Sequence, residues 1–425
     1  MARIAPGIES RLRIEEISGV SVGREMLIIG RKNETTTLDG VAVGERYRIG
    51  QVTSVSNAVA VMKARGFTVK FSSQTQLDLT ETDEVAAMVI MVALQYENYQ
   101  PSAPSYSLEP VNVSFVTLED TATDMSDMDF ESFEGQIIDT VVSPFPYETG
   151  DIDDETSWVS LLKDQMDARR NKYGLSRGLG WTFMANTSVN ARTDLASLDQ
   201  IDWEYATALN YKFETTGYEP SLGQINTAHA LHFLANPIPF NGRSGEVIPL
   251  IPAPDQDSMA YDDEVIANLL NKGWSTLKAD TSNNEVASVR AISTQVNDPV
   301  TELPRQFFYD FNDYRVAQVG QELVLARVKE RNLINQSFTV RADGSSDILN
   351  KVVDIMKAVD MDLADRGLVS QDSASLSQFY KAEFDPDTSG KVNVEKPLFP
   401  REILFNLDVT TVARNMRTVQ STLAA

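Results

Sequence analysis

The sequence contains no cysteine. That excludes disulfides, thiol nucleophiles, zinc–thiolate sites and iron–sulfur clusters, and it suits a reducing compartment. Histidine is almost as scarce, with only His229 and His232 in the chain. Their i, i+3 spacing places both on one helical face, as a metal pair requires. Ala230, Leu231 and Phe233 surround them and no acidic third ligand is near in sequence, so packing is the reading adopted. Long apolar runs are missing too: the longest, Val85 to Leu94, falls far short of the roughly 20 residues that span a bilayer. Met1 to Gly7 lacks the apolar core of a signal peptide, so folding in a cytosol is expected. Finally, Glu119 to Glu155 holds thirteen acidic residues and no Lys or Arg.

The net charge of −24 repels nucleic-acid phosphates and anionic lipid, which argues against partners of either kind. The acidic stretch reads as a solvated outer surface. Asp151, Asp153, Asp154 and Glu155 are close together but lack the glycine turn and spaced ligands of a calcium loop. Asp385, Asp387, Ser389 and Gly390 begin like such a loop, yet position twelve is Lys396, with Glu395 one place early, so a hairpin turn is expected there. Gly174, Gly178 and Gly180 are followed by Trp181 and no Gly-Lys-Ser/Thr, so they make no phosphate loop. No catalytic, cofactor or metal residue is assigned.

What is present is ordinary globular composition, 42% hydrophobic and 23% charged over 425 residues, enough for two or three domains with real cores. Glu25 to Gly30 reads as a buried strand. Helices are predicted over Val52–Arg65 and Glu84–Tyr96, with a strand over Thr68–Phe71 between them and another over Val111–Leu118 after them. A strand follows over Gln136–Val142, then a helix over Ser157–Arg170 with Trp158, Leu161, Leu162 and Met166 on one side, then a strand over Trp181–Ala185. Helices over Trp203–Phe213, Ile225–Leu234 and Val265–Lys272, the last closed by Gly273, precede a strand over Glu285–Thr294. Past a composition break at Asn297–Pro299 come two amphipathic helices, Asn312–Asn332 and Ser346–Arg366, two strands flanking Pro386–Gly390, and a last core strand with Ile403, Phe405, Leu407 and Val409 alternating. Alternating strands and helices give an α/β (α+β) class with several domains.

The two ends carry strands that do not obviously belong to the core. Ile8, Leu12 and Ile14 alternate with charged residues, and Met416 to Leu423, with Val419 at its centre, is a second strand-like run. Gly19 and Gly23 isolate the first; Arg414 and Asn415 isolate the second. Each is an arm suited to pairing with another molecule's sheet edge, and an arm at both ends suggests a polymer.

Several ordered motifs carry a resemblance. Gly245-Glu246-Val247-Ile248-Pro249-Leu250-Ile251-Pro252-Ala253-Pro254, then Asn268 to Gly273, then a strand bearing Arg290, Ile292, Ser293 and Thr294, resemble the central signature of Mu-type contractile phage tail sheath proteins. Leu27 to Gly30, Val141-Ser143-Pro144-Phe145 before the Trp158 helix, and Lys396-Pro397 before the closing strand match in kind and order. The chain departs from that pattern in Glu119–Glu155 and Pro299–Pro304.

The resemblance implies a structural subunit and not an enzyme. Such a subunit would form stacked hexameric rings around a tail tube and contract to drive the tube through the host envelope for genome delivery. Partners would be other copies of the chain, the tail tube protein, and baseplate and tail terminator proteins, in a virion tail assembled in host cytoplasm. The division expected is an N-terminal arm over 1–22, an α/β outer and middle region over 23–298, an inner, tube-facing C-terminal sheath domain over 299–413, and a C-terminal arm over 414–425. On the Ser346–Arg366 helix, Lys351, Asp354, Lys357 and Asp360, with Asp365, are the candidate tube-facing residues. The alternatives are another virion polymer (tube or capsid), or a carboxylate hydrolase using Asp360, Asp362 and Asp365 or the Asp151 cluster.

Overall fold

The computed structural model describes residues 24–101, 107–133, 138–173, 179–190, 192–211, 220–236, 247–252, 263–280, 285–288, 290–297, 303, 311–333, 346–365, 368–369, 380–384 and 392–395. Its centre is a seven-stranded sheet in the order β2-β3-β1-β4-β5-β6-β8. The strands are β1 (Glu25–Arg31), β2 (Arg46–Gln51), β3 (Asn112–Leu118), β4 (Ile138–Pro146), β5 (Leu179–Asn186), β6 (Ala206–Asn210) and β8 (Trp274–Ser275). All neighbours run parallel except β2, which is antiparallel to β3 and carries a register shift between Arg48 and Gly50. Parallel strands covered on both faces need continuous apolar runs, and Met26-Leu27-Ile28-Ile29 is wholly buried.

The faces of β1 feed two cores. Met26 and Ile28 join α1 (Val55–Ala64), α2 (Glu84–Asn98) and α4 (Leu222–Leu234); Leu27 and Ile29 join α3 (Trp158–Tyr173) and α5 (Asp263–Asn271). The α2 helix is buried on every side from Val85 to Gln95, because it lies between the sheet, α1 and α4. A capping box at Ser221 starts α4: the Ser221 Oγ accepts from the Gln224 amide (3.2 Å), and the Gln224 side chain accepts from the Ser221 amide (2.9 Å). Gly273, at φ 84°, closes α5 in the conformation that glycine adopts most cheaply. A small antiparallel sheet, β7 (Val247–Ile248), β10 (Glu285–Ser288) and β9 (Leu277–Asp280), lies beyond.

Four expectations need correction. The helix expected over Trp203–Phe213 is not found in its described part, Trp203–Tyr211, whose centre is β6 with all five residues buried. A strand covered on both faces loses its period-2 signature, so periodicity cannot distinguish it from a buried helix. Thr68–Phe71 makes only a single bridge, Phe71 to Leu77. The strand expected to Thr294 ends at Ser288. The acidic stretch is not one solvated surface, because β4 runs through it as a central strand and Asp139 is fully buried.

After the sheet come α6 (Phe311–Glu330), α7 (Asp347–Asp365) and a hairpin of β11 (Lys381–Phe384) and β12 (Val392–Glu395). Phe311 and Tyr314 belong to the sheet's core, whereas Val316, Val319, Leu323 and Val324 pack on α7. The packing thus changes hands within α6.

Candidate assembly interface

Two of the exposed large hydrophobic residues, Met361 and Val394, lie in the C-terminal unit. Val352, Ile355, Met356, Val359 and Leu363 recur at helical spacing and bury one stripe of α7 against α6, with Leu349 buried one turn earlier. An Arg327–Asp362 ion pair ties the two helices on their flank. Next to α7 lies the hairpin, in register Lys381↔Glu395, Ala382↔Val394, Glu383↔Asn393 and Phe384↔Val392. Two short strands alone are marginal in water, so this pair depends on α7 beneath it. Ala382 packs on the helix-pair core, but Val394, directly opposite on the same face, is 47% exposed. Among the described residues, neither outer edge of the hairpin has a pairing strand.

Of the residues expected to face a tube, Lys351 and Asp354 are exposed and Lys357 is half-buried, its ammonium 6.0 Å from the Tyr380 ring centroid. Asp360 is the exception. It is 1% exposed and accepts a 2.7 Å hydrogen bond from the Tyr380 hydroxyl, whose pKa is pushed up by burial and then by this carboxylate. Asp360 falls one position after Val359 on the stripe that meets Tyr380, so it is covered where Asp354 is free. With Asp360 bound to Tyr380 and Asp362 paired with Arg327, neither aspartate is a free member of a catalytic carboxylate pair. The arm residues Ile8, Leu12, Ile14, Met416, Val419 and Leu423 lie outside the described residues, as do the closing strand from Ile403 to Val409 and Asp385 to Gly390.

The histidines pack. His229 is buried with its ring edge-on to Phe183 and Phe233, and burial lowers its pKa to about 3. His232 lies 3.0 Å through Nε2 from the Gln95 Oε1 and edge-on to Tyr99.

Ligands of parallel sheets usually bind outside the carboxyl ends of the strands, here the end at which β1 gives way to Lys32 and β3 to Asp120. A cleft of about 340 Å³ does lie there, lined by Arg31, Lys32, Asn33, Glu84, Asp120 and Ser221 among others. Its cations are already paired. Arg31 donates to Glu84 through Nε (2.8 Å) and Nη2 (3.0 Å), and Lys32 pairs with Glu119 at 2.8 Å. Asp83 and Glu84 also put two carboxylates at the start of α2, where a phosphate would need positive potential. Asp83 holds the entering loops: its carboxylate accepts from Thr36 Oγ1 (2.8 and 2.9 Å), from the Thr68 amide (2.6 Å) and from the Asn33 amide.

Sequence reasoning missed a buried polar cluster at the amino ends of the strands. Asp139 accepts from the Glu25 amide and from Gln318 Nε2, each at 2.7 Å, and Arg315 lies near enough to act on it electrostatically. The signal was legible: Asp139 is a lone charge in the run Ile-Ile-Asp-Thr-Val-Val, and Arg315 and Gln318 are polar residues at i, i+3 on the buried face of α6.

No family model and no curated protein matches the sequence. Solved structures do match it, along nearly its whole length. The anti-feeding prophage (AFP) baseplate, six-fold symmetrised, aligns with a TM-score of 0.55 at 13% identity, over 97% of this chain and 100% of that one. The AFP helical sheath in its contracted state gives 0.53 at 12%, over 97% and 100%. The sheath tail protein Lin1278 from Listeria innocua gives 0.53 at 12%, over 90% and 93%. The chain has the fold of contractile tail sheath proteins.

Proposed function

We propose that this chain is the structural subunit of a contractile sheath, assembling with copies of itself into stacked hexameric rings around a tail tube. One observation carries the reading: the fold likeness runs end to end through a helical sheath in its contracted state, not through a single shared domain. The β11–β12 hairpin supports it, with two edges that no described strand fills and an apolar face only half covered by α7. In this reading the arms, 1–22 and 414–425, add strands to the hairpins of neighbouring copies. Backbone hydrogen bonds along an added strand keep subunits tethered while rigid bodies rotate and slide into larger interfaces. The energy for driving the tube through an envelope is then stored in the lattice, without chemical fuel. On α7, Lys351, Asp354 and Lys357 are the groups offered to the tube, with the baseplate and terminator closing the two ends of the polymer.

Electron microscopy of the purified protein tests this: rings or helical tubes support it, and monodisperse globules at high concentration overturn it. Deleting Met1 to Ile17, or placing Val419→Pro in the second arm, is expected to abolish polymer while leaving a folded monomer by circular dichroism. Lys351→Glu with Lys357→Glu is expected to weaken co-assembly with the tube and spare self-assembly; equal loss of both would remove this helix from the tube contact.

A further inference from the structure

The cluster around Asp139 joins three parts of the chain that are distant in sequence. Asp139 opens β4 in the middle of the sheet. One of its oxygens accepts the backbone N–H of Glu25, the first residue of β1, where the N-terminal segment enters the fold. The other accepts Nε2 of Gln318, about two turns into the helix that continues into the C-terminal unit. Arg315, one turn earlier on α6 and 2% exposed, supplies the positive charge, and its two terminal nitrogens make no hydrogen bond among the described residues. The entry residues are fixed from the side as well: the Glu25 carboxylate is paired with Arg46 and lies 3.6 Å from Arg48, both on the edge strand β2, and Arg24 is paired with Glu109.

A buried ion is a poor way to gain stability. Desolvation outweighs the attraction of Arg315 and leaves the Asp139 carboxyl with a raised pKa, while burial lowers Arg315 to about 10. Apolar residues of similar size would hold α6 to the sheet at less cost. What a carboxylate provides and a leucine cannot is direction: two fixed acceptors, one for each element to be joined.

We propose that Asp139 is the coupling point at which the N-terminal entry of the chain and the C-terminal helix pair are tied to one sheet residue, so that the subunit moves as a single body. This holds for the isolated subunit. Its use in a contracting lattice, where a pull on the arm passes through Glu25 and Asp139 to α6, rests on the function proposed above.

The test is hydrogen exchange on the full-length protein, comparing peptides of α6 and α7 with peptides of β1, β3 and β5. For Asp139→Asn, exchange in α6 and α7 is expected to rise roughly ten- to hundred-fold, the equivalent of losing hydrogen bonds to a charged group, while β3 and β5 change little. Calorimetry should then resolve two transitions where the wild type shows one. Gln318→Ala removes only the α6 side and keeps the bond to Glu25, so it covers the case in which Asp139→Asn does not fold; it should raise exchange in α6 and α7 alone. A uniform rise across sheet and helices with one transition in Asp139→Asn, or unchanged α6 exchange in Gln318→Ala, overturns the coupling role. Loss of tubes with unaltered exchange would instead count against the coupling and leave the sheath reading intact.

Discussion

The sheet unit and the helix-pair unit solve the problem of burial in opposite ways. Around the sheet, helices cover both faces; α2 and α4 are buried along nearly their whole lengths, and β1 shows no solvent until Arg31. In the C-terminal unit one stripe of α7 is covered, the opposite face is open, and a two-stranded hairpin lies against it with its own apolar face half bare. Among the described residues, the first unit covers its apolar faces and the second leaves some of its own exposed. The difference teaches where the described residues leave apolar surface for a partner: on the hairpin face that carries Val394.

Substitutions sharpen that contrast. The largest effect is expected at Gly180, where an added Cβ would stand 2.0 Å from the carbonyl oxygen of Asp139 on the neighbouring strand. Backbone cannot yield as a flexible side chain would, so Gly180→Ala should cost about 4 kcal/mol or more and leave little soluble protein. Trp181→Ala follows. The indole is fully buried and meets Phe311 edge-on (5.8 Å) and Tyr314 at 5.4 Å, so truncation should cost about 3–5 kcal/mol in chemical denaturation.

Acid should separate the units further, because both histidines lie in α4 of the sheet unit. Folded His229 is neutral, its pKa lowered to about 3 by burial, whereas the unfolded imidazole protonates near 6.5. Its contribution to stability is therefore complete above about pH 6.5 and is lost as pH falls toward 3. At pH 5 the loss is about 2 kcal/mol, and His229→Leu should flatten that part of the stability–pH curve. Equal slopes in the two proteins would remove His229 as the cause. The smallest effect on the monomer is expected from Val394→Lys on the hairpin, within about 0.5 kcal/mol by thermal melting. Polymer yield should nevertheless fall sharply; a large drop in melting temperature instead would make the hairpin face part of the subunit's own core.

Most of the sheet unit was legible because its strands and helices carry strong local signals. The Glu25–Gly30 run, the α2 run and the α7 stripe all appear at the expected positions. β6 was not legible, since a strand buried on both faces carries no alternation. Asp360 was misplaced because helical spacing alone does not reveal that Tyr380, fifteen residues past the end of α7, folds back over that face. Asp139 was passed over as one acid among thirteen, although its apolar neighbours set it apart. In each case what was missing was a contact between segments far apart in the chain.

The margins of the large sheet decide how faithfully such a subunit can assemble. On one side β2 ends the sheet with a register shift and an exposed arginine, which spoil it as a template for another strand; on the other, β8 is two residues long and buried. Among the described residues, the small hairpin also has two edges with no pairing strand. The protected margins of the large sheet disfavour edge-to-edge sticking between copies at the level of the monomer.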